Sequence, residues 1–398
     1  MKAAGLMGAG TVVGTGTALA RLAAPPSAQA KPQKAVENKV PTRAFGKTGA
    51  RVSMLALGGI FDITSNQLVL QQALAWGVKY WDTAPGYTGG KSETGIGMFL
   101  EKNPQVRKEI FLVTKADKRD PQGMTASLNQ SLERMKTAYV DGFFLHGISS
   151  GSALNDEIKA WAEKAKADRK IRFFGFSTHS NMEDCLNAAA KLGWIDGIML
   201  TYNCRVMNTD AMKAAVDAAA KAGIGLTAMK TQAKRTRGDD QADAKLLDHF
   251  VQRGFSAEQA KLKAVWETPQ IATACSAMYT VSVLSANVAA ALDQVKLSAA
   301  DHAALAGAAA DSRSGYCAGC TRLCEGVIAH QAPIGDVMRS LMYYHSYGDR
   351  NRAREVFAHV PESTRSRLAE MDFSGAERVC PHRLPIARLM REATELLA

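Results

Sequence analysis

The sequence predicts an α/β chain in which a closed (β/α)8 barrel of parallel strands is followed by a mainly helical, cysteine-containing extension. Three observations carry that prediction. Short apolar runs ending on a polar residue recur at a nearly fixed interval: YWD ends on Asp82, IFLVTK on Lys115, the FFLH run on His146 and FFGFS on Ser177, spaced 33, 31 and 31 residues apart. That interval holds one strand, one helix and two loops, the repeat of a βα unit and hence of a parallel sheet. Stretches with apolar residues at helical spacing, such as 125–135 and 155–167, lie between the runs. Composition then shifts, because no lysine occurs after Lys296 while arginine stays frequent and four of the seven cysteines follow.

Taken in order, residues 1–30 read as an export signal. They hold one lysine, a Gly/Ala/Val/Leu run over 3–20 and an AQA cleavage site at 28–30. The run is too short and too rich in glycine for a membrane span, so no span is expected once the signal is removed. MKAAGLMGAGT is similar to the part of a twin-arginine signal that follows the arginine pair, which implies a periplasmic destination. Residues 31–41 are a polar linker, and 42–311 form the barrel.

A hairpin around 46–49 feeds strand one at 54–58, and helix one covers 66–76. Strands two to five are the four runs above. Strand six is GIMLTYN at 197–203 and strand seven GIGLTAMK at 223–230. A polar loop, KRTRGDDQ at 234–241, precedes a helical insertion over 255–266 and strand eight at 270–277. A last barrel helix covers 299–310. Residues 312–398 form the tail, helical around 337–344 and 385–397.

The chain has 398 residues, 46% of them apolar, enough for a large core. Its net charge of +11 contains no block of five or six like charges. The excess reads as a solvated basic surface rather than a nucleic-acid site.

The chemistry centres on 80–97, YWDTAPGYTGGKSETGIG. Asp82 ends a strand, and five residues later Tyr87 lies in a Pro/Gly-rich loop that opens into a helix with Ser92 as its cap. Such a pair is also ordinary turn chemistry, but the next strands add Lys115 and His146 at the same barrel face, where barrel chemistry is done. A phenol of pKa near ~10 is a weak acid, and a neighbouring ammonium favours its ionised form. Asp82 holds Lys115 charged, and His146 orients a carbonyl oxygen.

At these residues the chain resembles the aldo/keto reductase family over about 42–293, through WDTAPGY, LVTK, the FLHG histidine and GFSTHS. The resemblance implies a TIM barrel, Asp82, Tyr87, Lys115 and His146 as catalytic residues, and a small carbonyl or alcohol substrate. It also implies a nicotinamide nucleotide, NADP or NAD, held by Gly59, Ser177, Thr178, Met229, Lys230, Ser276 and Asn287. Thr178 stands where asparagine is usual, Met199 replaces a glutamine, and Met229 replaces the aromatic residue that stacks on the nicotinamide. Residues 274–287 contain no lysine or arginine to meet a 2′-phosphate.

Cys185, Cys204 and Cys275 read as small buried hydrophobes. Cys317, Cys320 and Cys324 form C-x2-C-x3-C, and Cys380 precedes Pro381. An iron-sulfur cluster, a zinc site, and disulfides or free thiols all fit these four. The tail also resembles the ferredoxin-like extension of one branch of the family, through MYYHSYGDRNRAREVF and AERVCPHRLPI. That likeness implies one 4Fe-4S cluster, because the branch's second set of cysteines is absent.

Three functions follow from these readings. The first is an exported oxidoreductase with Tyr87 as general acid and base, its electrons coming either from a cofactor carried out tightly bound or through the tail cluster from a redox partner protein. The second is an electron-transfer or interaction protein that uses a reductase barrel as a scaffold. The third is a cytoplasmic reductase with a structural zinc tail.

Overall fold

The computed structural model describes residues 39–232 and 240–398. The export signal, most of the linker and most of the 234–241 loop lie outside them. An antiparallel hairpin of β1 (Thr42–Ala44) and β2 (Arg51–Ser53) starts the described chain. Its turn carries Gly46 and Gly49 at φ 55° and 73°, a region that glycine enters without steric cost.

Eight parallel strands follow: β3 (Leu55–Gly58), β4 (Tyr80–Asp82), β5 (Phe111–Ala116), β6 (Val140–Leu145), β7 (Ile171–Thr178), β8 (Gly197–Thr201), β9 (Gly225–Met229) and β10 (Ile271–Ala277). β10 pairs with both β9 and β3, which closes the barrel. The strands are almost wholly buried because helices cover the outside and side chains fill the inside. Phe45, from the hairpin, plugs one end beside Tyr80 and Phe111. Its ring needs Gly197 and Gly225 opposite it, since a Cβ there would lie 2.8 and 2.5 Å from the ring.

Local chemistry starts the outer helices. Pro121–Arg134, Asp156–Ala167, Asp210–Lys221 and Val281–Leu292 are capped by the side chains of Asp120, Asn155, Thr209 and Thr280. Ala257–Trp266 and Ala299–Asp311 begin with full capping boxes at Ser256 and Ser298. The expected Ser92 cap is corrected. Helix Lys91–Lys102 is capped by Gly90 at φ 90°, and Ser92 lies buried inside it, sharing a 2.7 Å hydrogen bond with Thr83. A Cβ on Gly90 would meet the Arg134 guanidinium at 2.8 Å, so the turn takes glycine and the serine is left to tie the helix to β4.

The tail is helical over Ile334–Tyr347, Arg350–Ala358, Ser374–Val379 and Ile386–Leu397, with shorter turns between. It has its own apolar core, including Val337, Phe357, Phe373 and Met390. Asn38–Ala398 is nevertheless one compact unit. The cysteine loop is stitched to the barrel by Asn181 N–H donating to Gly319 O (2.7 Å) and Arg322 N–H donating to Asn181 Oδ1 (2.9 Å). Gly319, at φ 79°, lies so near His179 O that a Cβ would come within 2.1 Å. Among the described residues no helix is long and apolar enough to cross a membrane.

Candidate active site

β4, β5 and β6 end side by side, which brings Asp82, Lys115 and His146 to the lip of the barrel. The loop after β4 returns Tyr87 over them. That loop is clamped from outside by Arg134, which donates to Pro85 O (3.1 Å) and pairs with Glu93 (3.3 Å). Glu93 is fully buried and also accepts from Thr114 Oγ1 at 2.7 Å. Thr88, Gly89 and Gly90 all take positive φ, so the chain turns back sharply after Tyr87.

Lys115 Nζ donates to Asp82 Oδ1 and Oδ2 (2.7 and 2.8 Å) and Thr83 O (2.8 Å), and it stands 3.4 Å from Tyr87 Oη. Burial alone would lower the Lys115 pKa, but Asp82 and Tyr87 outweigh it and raise it. Burial raises the Asp82 pKa against the pull of Lys115. One expectation is corrected here. Lys115 does draw the Tyr87 phenol down, yet burial outweighs it and the pKa rises to about 12. Much of the ammonium's field is spent on Asp82, and the phenol remains protonated at neutral pH.

His146 stacks edge-on to Tyr87, ring centres 5.9 Å apart. Its Nδ1 lies 2.9 Å from Asp117 Oδ1 but is not aligned for a hydrogen bond. Burial pushes the His146 pKa down to about 4; Asp117 opposes this, while Lys115 and Arg352 add to it. The imidazole is therefore neutral under physiological conditions.

These four residues line a cavity of about 360 Å³. Of the residues expected at the nucleotide, Ser177, Met229, Lys230 and Ser276 also line it. Ser177 Oγ accepts from Gly147 N–H at 2.9 Å. Lys230 reaches away from the strand ends, donating to Tyr343 Oη of the tail at 2.9 Å. Gly59, Thr178 and Asn287 stand behind the lining. Gly59 N–H donates to Asp82 O (2.7 Å), Thr178 Oγ1 donates to Ser180 O (2.8 Å), and Asn287 donates to Ser276 Oγ (3.1 Å) and accepts from Gln232 (3.1 Å).

Several lining residues received no site role from the sequence, although His179 lies in GFSTHS and Tyr343, Arg352 and Glu355 lie in MYYHSYGDRNRAREVF. Asp117, His179, Gln232 and Cys275 come from strand ends, while Tyr343, Arg352 and Glu355 roof the cavity from the tail. A larger cavity of about 790 Å³ adjoins it between barrel and tail and shares Lys230, His179, Arg339 and Tyr347. The smaller one holds the paired ionisable groups and is the candidate site.

Cys185, Cys204 and Cys275 are free and buried, as expected. The four tail cysteines are free as well, and all of them line one small cavity of about 20 Å³ with Pro381, His382 and Ile334. Burial pushes the Cys317 and Cys324 thiols up to about 12. Among the described residues no three His, Cys, Asp or Glu side chains converge closely enough to hold a single metal ion.

The chain is similar to L-galactose dehydrogenase of Arabidopsis thaliana, 29% identical over 156 residues, covering 35% of this chain and 49% of that protein. It is also similar to L-glyceraldehyde 3-phosphate reductase of Escherichia coli, 28% identical over 157 residues, covering 35% and 45%. The chain thus spans about half the length of the curated relatives it matches. An aldo-keto reductase of Bacillus halodurans in its holo form shares the fold, with a TM-score of 0.56 at 20% identity over 68% of this chain and 96% of that one. Residues 56–281, more than half of the sequence, match the Aldo/keto reductase family, and the chain belongs to that family.

Proposed function

We propose that this chain is an oxidoreductase that reduces a small carbonyl compound, or oxidises the corresponding alcohol, with Tyr87 moving the proton. The observation that carries the reading is the buried ammonium of Lys115, held by both oxygens of Asp82 and 3.4 Å from the Tyr87 phenol. Tyr87 enters the reduction protonated. As negative charge develops on the carbonyl oxygen, the proton passes from Tyr87 Oη to that oxygen, and Lys115 stabilises the phenolate left behind. Neutral His146 holds the carbonyl oxygen without protonating it. Alcohol oxidation runs the same steps in reverse.

A nicotinamide nucleotide supplies the hydride when bound. Ser177 keeps its O–H free to donate, because its oxygen already accepts from Gly147 N–H. It suits a carboxamide, and Met229 adds an apolar side chain to the same cavity lining. Ser276 on β10 forms a polar edge with Gln232, which follows β9, and Asn287 of the helix Val281–Leu292. No lysine or arginine lies in 274–287, so NAD is as well matched there as NADP.

The four tail cysteines are proposed to hold one 4Fe-4S cluster, which would supply one-electron transfer. All four face one cavity, and a single tetrahedral zinc would need its thiolates within ~2.3 Å of one point. The features of residues 1–30 support export to the periplasm, where a redox partner protein would deliver electrons. Anaerobic purification with iron and sulfide analysis tests the cluster, with Cys380→Ser as the control. A fusion of residues 1–30 to a reporter tests export.

Tyr87→Phe decides the mechanism. Carbonyl reduction is expected to fall by about 10²–10⁴-fold with the fold retained; turnover at the wild-type rate refutes the role of Tyr87. The placement of Lys230 against the tail favours a second reading, a binding or electron-transfer scaffold. Fluorescence titration with NADP and NAD separates the two, because a scaffold takes up neither.

A further inference from the structure

The tail roofs the candidate site, and one roof residue is explained by neither the fold nor the reduction chemistry. Arg352, in the helix Arg350–Ala358, has a side chain only 12% exposed. Its guanidinium carbon stands 5.6 Å from the centre of the Tyr87 ring and 5.8 Å from that of Tyr343. Nη1 pairs with Glu355 at 2.8 Å, whereas Nε is buried with no hydrogen-bond partner among the described residues. A buried guanidinium N–H without an acceptor is costly and calls for an explanation, and an acceptor brought by a ligand to the cavity that Arg352 lines is one.

The other cations around the cavity already have partners. Lys115 is held by Asp82, Lys230 by Tyr343 and Arg339 by Asp336 at 3.0 Å. Glu355 meets Arg352 Nη1, Asp349 accepts from the Arg352 backbone N–H, and Asp117 stands beside the neutral His146 ring. Among these cations Arg352 is the one whose guanidinium keeps a donor unmet. A guanidinium is also the side chain whose planar fork matches a carboxylate. Because the guanidinium overlies the Tyr87 ring, a carboxylate held there leaves only a bond or two to the atom that Tyr87 addresses.

We propose that Arg352 clamps a carboxylate of the substrate adjacent to the reacting carbon, so that the substrate is a 2-oxo acid or the matching 2-hydroxy acid. The proposal rests on the oxidoreductase reading above and deepens it. The clamp adds no chemical step; it positions the carbonyl beneath Tyr87 and His146. It also gives the tail a role in substrate selection.

The test is calorimetric binding of oxamate, a 2-oxo acid mimic that is not reduced, against neutral oxamide. The full chain is used with saturating NADP or NAD. Wild type is expected to bind oxamate more tightly than oxamide. Arg352→Gln is expected to lose about 30-fold or more in oxamate affinity, with Arg352→Lys intermediate, as for removal of one partner of a buried charge pair. Thermal melts matched to wild type show that the variants fold, and Arg352→Lys keeps the test open if Arg352→Gln does not. Equal binding of oxamate and oxamide, or full oxamate affinity in both variants, overturns the clamp. Oxamate binding that depends on Arg352, without turnover of pyruvate or any neutral ketone, upholds the clamp and refutes the reductase reading, so the two failures are separable.

Discussion

Tyr343→Phe is the most informative perturbation of the link between barrel and tail. Lys230 Nζ donates to Tyr343 Oη at 2.9 Å and also stands 4.3 Å from the ring centre. Burial alone would raise the Tyr343 pKa, but Lys230 and then Arg352 outweigh it and bring it down to about 8. An unfolded tyrosine ionises near ~10, so the shift of about two units corresponds to about 3 kcal/mol of folding free energy. Its sign follows from the direction. The native state releases the proton first, so this stabilisation is full above about pH 10 and is lost as pH falls through about 8. At pH 7 the variant gives up a hydrogen bond from a charged donor, about 1.5–3 kcal/mol. At pH 10 it gives up that and about 2 kcal/mol more. Urea unfolding of both proteins at the two pH values measures the difference, and ultraviolet titration of phenolate identifies one tyrosine ionising near pH 8 in wild type alone. An equal destabilisation at both pH values, or no tyrosine titrating before the bulk, refutes the reasoning.

Two further outcomes are expected. Phe45→Ala empties the end of the barrel beneath Gly197 and Gly225, which have no side chains to fill the gap, and is expected to cost about 3–5 kcal/mol in a denaturant melt; a loss below about 1 kcal/mol would show that the hairpin does not plug the core. His146, held down to about 4 chiefly by burial, stays neutral from there upward. The pH profile of kcat/KM is then expected to show no limb near ~6.5, the ordinary histidine value, and activity falls only as pH drops towards about 4; a limb near neutrality abolished by His146→Asn would contradict that environment.

The barrel was legible because its signal is repeated. Four apolar runs whose last polar residues are Asp82, Lys115, His146 and Ser177 set a period that a single run could not, and closure of the barrel then places their ends on one face. The Ser92 cap was misread, because Gly90 supplies the turn and the serine hydroxyl is drawn inward to Thr83. The direction of the Tyr87 shift was not legible, since it depends on how deeply the phenol is buried and on how much of the Lys115 charge Asp82 takes. The roof was silent for a related reason. Tyr343, Arg352 and Glu355 lie in a polar helical segment, and nothing local says that their helices fold back over a cavity floored by the strand ends of the barrel. In the proposed mechanism the barrel supplies the groups that move a proton, and the proposed carboxylate clamp is carried by the tail. A substrate class inferred from the barrel motifs alone therefore omits the Arg352 guanidinium, the charged group nearest the Tyr87 ring after Lys115 among the ring contacts of the described residues.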